Sequence, residues 1–169
     1  MWATRRTLLD FIYDRGEFCA NESLEGMEAS QKSDLFVEHY AKLSQDERGE
    51  MNGCLVSALL GRNEETAKFS GIMVLLILSL VRRVPRTGLD AFELDLIQEL
   101  RNPRLNQSWL QKSEEIEDFR RNWRYALGII NILNELRVPA VRSIVMELAS
   151  ATQSERFQYK LNEVLQRAQ

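Results

Sequence analysis

Cysteine, proline and histidine are scarce in this sequence, with two Cys, three Pro and one His among 169 residues. Two cysteines, Cys19 and Cys54, are too few for a disulfide framework or a zinc knuckle, which points to a reducing, intracellular setting. A lone His39, without HExxH or ExxH spacing around it, leaves no histidine-based metal site and no histidine-linked triad with a spare ligand. No phosphate-cradling glycine loop, Walker sequence or GxGxxG occurs, and neither cysteine sits in a nucleophile motif. No catalytic, cofactor or metal site is therefore expected, and the chain reads as a non-enzyme.

Positive charge is also missing in sum. The formal charge is -3 and the pI about 5.4, which argues against general polyanion binding, because neutralising phosphates needs a surplus of Lys and Arg. The longest uninterrupted apolar run, Ile72 to Leu78, falls far short of the roughly 18 to 20 residues of a bilayer span, so no membrane insertion is expected. At the N-terminus Asp10 and Asp14 interrupt what would be the apolar region of a signal peptide. Eight glycines and three prolines leave little material for turns, so the elements should be long.

What is present is helical spacing nearly everywhere and strand alternation almost nowhere. The chain is expected to be all-α, a compact multi-helix bundle of about eight helices. Residues 3–14 carry Leu8, Leu9, Ile12 and Tyr13 on one side, and the acidic, poorly periodic stretch 16–30 reads as a linker. Residues 1–30 are thus an amphipathic helix with a tether, and 31–169 a single helical domain. A helix over 32–43 puts Leu35, Phe36, Tyr40 and Leu43 inward. Ser44 and Glu47 then form a capping box before the stripe Met51, Cys54, Leu55, Ala58, Leu59, which stops at Gly61.

Asn63 as N-cap, with Glu64 and Glu65 in the first turn, opens a helix over 64–84. Because it is apolar all round, it should be enclosed on every side as the centre of the bundle. Thr87 and Asp90 cap a helix carrying Leu89, Phe92, Leu96, Ile97 and Leu100, which ends before Pro103. Ser108 and Gln111 repeat the capping-box pattern ahead of a long helical region reaching about 137, with Ser113 as the place for a break and Ile116, Phe119, Trp123, Ala126, Leu127, Ile130 and Leu133 as its core face. Pro139 suits the first turn of a helix bearing Val141, Ile144, Val145 and Leu148. Thr152 with Glu155 caps the last, whose inward residues are Phe157, Leu161, Val164 and Leu165. Glu114, Glu117 and Asp118 share one helical face, read as a solvated helix start since no second carboxylate cluster matches it.

Of the 22 basic residues 17 are arginine, a residue suited to bidentate carboxylate and phosphate recognition. Arg120, Arg121, Trp123 and Arg124, with Trp109 nearby, form one candidate partner-binding surface, since Trp and Arg dominate interface energetics. The other lies on the N-terminal helix, at Trp2, Leu8, Leu9, Phe11 and Ile12, placed to dock on a partner or exchange between protomers. The segment "FRRNWRYALGIINIL" (119–133) resembles the BH1 segment of Bcl-2-like proteins, an Asn-Trp pair leading into an apolar central helix. The resemblance covers about fifteen residues and departs at Arg124, where the family has glycine. It implies recognition of a helix in a groove.

The leading expectation is a regulatory or adaptor module that binds another protein or a second copy of itself as a homo-oligomer. The alternative from another class is a nucleic-acid-binding regulator using Arg82, Arg83, Arg86, Arg101 and Arg104. Residues 82–124 nevertheless hold nine Lys or Arg against eight Asp or Glu, so that reading needs folding to segregate the signs.

Overall fold

The computed structural model describes residues 29–62, 69–111 and 118–167. The candidate N-terminal helix and most of its acidic linker, with Trp2, Leu8, Leu9, Phe11, Ile12 and Cys19, lie outside the described residues. So do Asn63, Glu64, Glu65, Glu114, Ile116 and Glu117. The all-α reading holds: the described residues form eight α-helices and no strand. They divide into two units, with the boundary between Asp90 and Ala91.

The first unit contains α1 (Ala29–Ala41), α2 (Gln45–Leu59) and α3 (Ser70–Arg83). Ser44 begins α2 by accepting from the Glu47 backbone N–H at 3.2 Å, while the Glu47 carboxylate accepts from the Ser44 hydroxyl instead of reaching its backbone donor. α2 ends in a Schellman motif: Gly61, at φ 72, and Arg62 donate to the carbonyls of Ala58 and Ser57. Both α1 and α2 pack on α3. The interior is Phe36 and Tyr40 from α1, Met51, Leu55 and Leu59 from α2, and Met73, Leu76, Ile77 and Leu80 from α3.

Full enclosure of α3 is met on one face only. Ile72, Val74, Leu75, Leu78 and Val81 are half-buried, because α1 and α2 take up the face that carries Met73, Leu76, Ile77 and Leu80. Ser33 bonds to Ser79, and Asp34 pairs with Arg83, fixing the register of α1 on α3. Cys54 is half-buried, and Asn52 rather than Cys54 turns inward on α2.

The reason Asn52 is inside is a buried polar node. Its amide donates to the Thr87 carbonyl at 2.6 Å, and its Oδ1 stands 2.6 Å from the Tyr40 hydroxyl, which is itself 3.1 Å from the same carbonyl. The turn after α3 delivers that carbonyl: Pro85 precedes Arg86 at φ 57, and Gly88 follows at φ 81, where an added Cβ would stand 3.6 Å from the Asn52 amide nitrogen.

The second unit holds α4 (Glu93–Leu100), α5 (Pro103–Trp109), α6 (Trp123–Glu135), α7 (Ala140–Ala151) and α8 (Glu155–Arg167). A 3-10 segment, Leu89–Phe92, precedes α4, and another, Phe119–Arg121, precedes α6. α6 is the interior helix, packing on α4, α5, α7 and α8, with Tyr125, Ala126, Ile129, Ile130, Ile132 and Leu133 all fully buried.

The helix starting at Ser108 is corrected. Asn102 caps α5 by accepting from the backbone N–H groups of Arg104 and Leu105, with Pro103 in the first turn, so Ser108 falls inside α5 and its hydroxyl donates to the Arg121 carbonyl at 2.8 Å. The long helix instead begins at Trp123, where Asn122 accepts from the Arg124 N–H. At α8 the cap is Ser154, which accepts from the Phe157 N–H, and Thr152 shapes the turn before it. α6 ends in a second Schellman motif, in which Arg137, at φ 59, and Val138 donate to the carbonyls of Asn134 and Leu133.

Candidate functional site

Trp109, Arg120, Arg121, Trp123 and Arg124 do come together, around the 3-10 segment before α6, but mostly as structure. Trp109 is fully buried and its indole N–H donates to the Arg120 carbonyl at 2.8 Å. Its ring meets Tyr125 at 6.1 Å, and Phe119 stands edge-on to Tyr125 at 5.8 Å. Trp123 is 4% exposed and stacks on Phe157 at 5.4 Å. Neither tryptophan presents its ring at the surface: Trp123 lies on the core face that its helical spacing gives it, and the departure from the candidate surface is Trp109, because a large apolar ring in a helical unit this small is more stabilising inside.

Arg120 reaches inward to Glu99, 3.0 Å away, and lies over the Tyr125 ring. Glu99, only 8% exposed, also accepts from the Tyr125 hydroxyl. A charge this buried is tolerated because both partners satisfy it. Burial, then the adjacent Glu99 charge, push the Tyr125 phenol far above its ordinary value. Only Arg121 and Arg124 of the set are exposed, and Arg124 covers Trp123 with its guanidinium 4.6 Å from the ring centroid.

The arginines of the nucleic-acid alternative fall in different units. Arg82, Arg83 and Arg86 are exposed in the first, where Asp34 offsets Arg83; Arg101 and Arg104 are exposed in the second. His39 is half-buried in the last turn of α1. Among the described residues no group of three or more His, Cys, Asp or Glu is placed to hold a metal ion, and no helix is long and apolar enough to cross a membrane.

Two surface features escaped sequence reasoning. One is the outward face of α7, a shallow groove of about 650 Å³ lined by Pro139, Arg142, Ser143, Met146, Glu147 and Ser150, with Met146 51% exposed. These residues recur at helical spacing, but the sequence pattern gave weight to the opposite, apolar face of the helix. The other is a neighbouring pocket of about 410 Å³ lined by Arg137, Arg142 and Arg167 together with Asn134, Val138 and Val141. Among the described residues no Asp or Glu lines it. Its arginines are spread over 31 positions of sequence (137–167), so no local basic run announces it. Pro139 and Arg142 belong to both features.

Comparison with known protein families, with characterised proteins and with solved structures returns no match, and nothing in it extends the likeness of residues 119–133 to the Bcl-2-like family.

Proposed function

We propose that this chain is a protein-interaction module of regulatory or adaptor type, and that it docks its partner along the outward face of α7. The observation that carries the reading is Met146, a large apolar side chain 51% exposed in the middle of an open groove edged by Arg142, Ser143, Glu147 and Ser150. An unbranched, adaptable thioether surrounded by polar groups of both signs is the composition of an interface centre with a polar rim. The same helix turns Val141, Ile144, Val145 and Leu148 into the core, so the groove stands on a fixed support.

A photoreactive residue placed at 146 tests this in the source cell. The expected result is one covalent adduct of defined mass, abolished by charge in the rim variant Ser143→Glu, while the same label at the 72% exposed Leu94 gives a different product or none. Adducts equally abundant from both positions would overturn it. For the nucleic-acid reading the discriminating result is steeply salt-dependent binding weakened by Arg82→Gln and Arg83→Gln.

A further inference from the structure

We infer that the pocket of Arg137, Arg142 and Arg167 is an oxyanion site that receives an acidic side chain of the docked partner, a carboxylate or a phosphate ester on a peptide. The inference rests on the docking reading above for the partner, and on the pocket alone for the anion.

Three arginines reach one concavity of about 410 Å³ from three segments: the end of α6, the first turn of α7 and the last turn of α8. All three are exposed, and among the described residues none forms an ion pair. Like charges gathered in one place repel, and a bound oxyanion offsets that repulsion while offering several acceptor directions to planar guanidinium groups. Asn134 adds a neutral amide at the rim. The N-cap of α7, Pro139, has no side chain to accept from the first-turn N–H groups, so the positive end of the helix adds to the same field.

Arg137 supplies a separate indication. It occupies the left-handed position of a Schellman motif, the same position that Gly61 holds at the end of α2, where any side chain is disfavoured. An outlier of this kind at a pocket wall is what a binding role would retain. A peptide source for the anion follows from geometry: Arg142 and Pro139 line the groove of Met146 as well, so a chain lying along α7 passes the pocket mouth. A chain with net charge -3 is poorly suited to the continuous phosphate track of a nucleic acid.

Titration of the intact protein with inorganic phosphate, with single-stranded DNA, and with labelled, end-blocked Leu-Ala peptides carrying glutamate, phosphoserine or glutamine at the central position, tests the site. The expected result is salt-sensitive binding of phosphate and of at least one anionic peptide, with the glutamine peptide at least tenfold weaker. The ranking of glutamate against phosphoserine tells the two sources apart. Arg142→Gln and Arg167→Gln should each weaken binding about tenfold with unchanged thermal unfolding. Met146→Glu should weaken the peptides and leave inorganic phosphate unchanged; if the peptides too are unaffected, the docking reading falls while the oxyanion site stands. Equal binding of the glutamine peptide, affinities indifferent to both arginine variants, or preference for single-stranded DNA over every peptide would overturn the inference.

Discussion

The carboxylate of Glu99 accepts hydrogen bonds from both Arg120 and Tyr125, 21 and 26 residues further along the chain. This ties α4 to the 3-10 segment and to the start of α6, beneath a fully buried Trp109. Glu99→Gln keeps the shape but leaves a half-buried guanidinium without its counter-charge. The expected loss of unfolding free energy is about 2–3 kcal/mol, below the range for breaking a fully buried pair because Arg120 is partly exposed. Tyr125→Phe, which removes one hydroxyl and keeps the ion pair, should cost about 1 kcal/mol. Urea denaturation of the two variants checks the order.

Alkaline pH should destabilise the protein through its buried phenols, Tyr125 in this cluster and Tyr40 beside Asn52. Burial and the Glu99 charge raise the Tyr125 phenol above its ordinary value of 10.0, and burial raises Tyr40 as well. The unfolded chain releases these protons near pH 10 while the folded chain retains them. Stability is therefore complete below that pH and falls as pH rises above it, by up to about 1.4 kcal/mol per pH unit for each such tyrosine. Tyr125→Phe should show a shallower decline above pH 10 than the parent in unfolding midpoints measured from pH 8 to 11.5.

The two buried tryptophans are not equivalent. Trp109 donates to the Arg120 carbonyl, whereas the indole N–H of Trp123 is buried with no partner among the described residues. Replacing either by phenylalanine removes similar apolar area, but only Trp109→Phe also breaks a hydrogen bond and strands a carbonyl. Trp109→Phe should be the more destabilising by about 1–2 kcal/mol, measured by calorimetry on both variants.

Helix ends give a third pair. Gly61→Ala puts a Cβ into the left-handed region and should lose about 1 kcal/mol. Arg137→Gly relieves the same conflict, offset by the greater freedom of unfolded glycine, and should leave stability unchanged or raise it by about 0.5–1 kcal/mol. If Arg137 holds an oxyanion, the more stable variant will also be the weaker binder, a divergence that thermal unfolding and phosphate titration read from one sample.

The helices were legible because their apolar residues recur at helical spacing: Val141, Ile144, Val145 and Leu148 on α7, and Phe157, Leu161 and Val164 on α8, are all inside. What periodicity could not supply was any polar residue whose partner is distant in sequence. Asn52 looks like a surface residue of α2 until the Thr87 carbonyl, 35 positions on, is brought to it. Ser108 misled because its spacing to Gln111 fits a cap, while its hydroxyl is in fact used by Arg121, 13 residues away. Trp109, Arg120, Arg121, Trp123 and Arg124 lie near one another around the 3-10 segment, but side-chain identity alone does not say which face of a helix turns inward. The pocket at Arg137, Arg142 and Arg167 depends on where three helix ends meet, which no single segment encodes.

The placement of the indole rings also gives the molecule an internal reporter. Trp109 and Trp123, the described tryptophans, both stand in the second unit, whereas helices populate both units. In a Trp2→Phe variant the emission therefore follows the melting of residues after Asp90, and the far-ultraviolet dichroism follows every helix. Superimposable curves from the two signals would mean that the halves melt as one cooperative body; separated curves would resolve them as distinct melting units without cutting the chain.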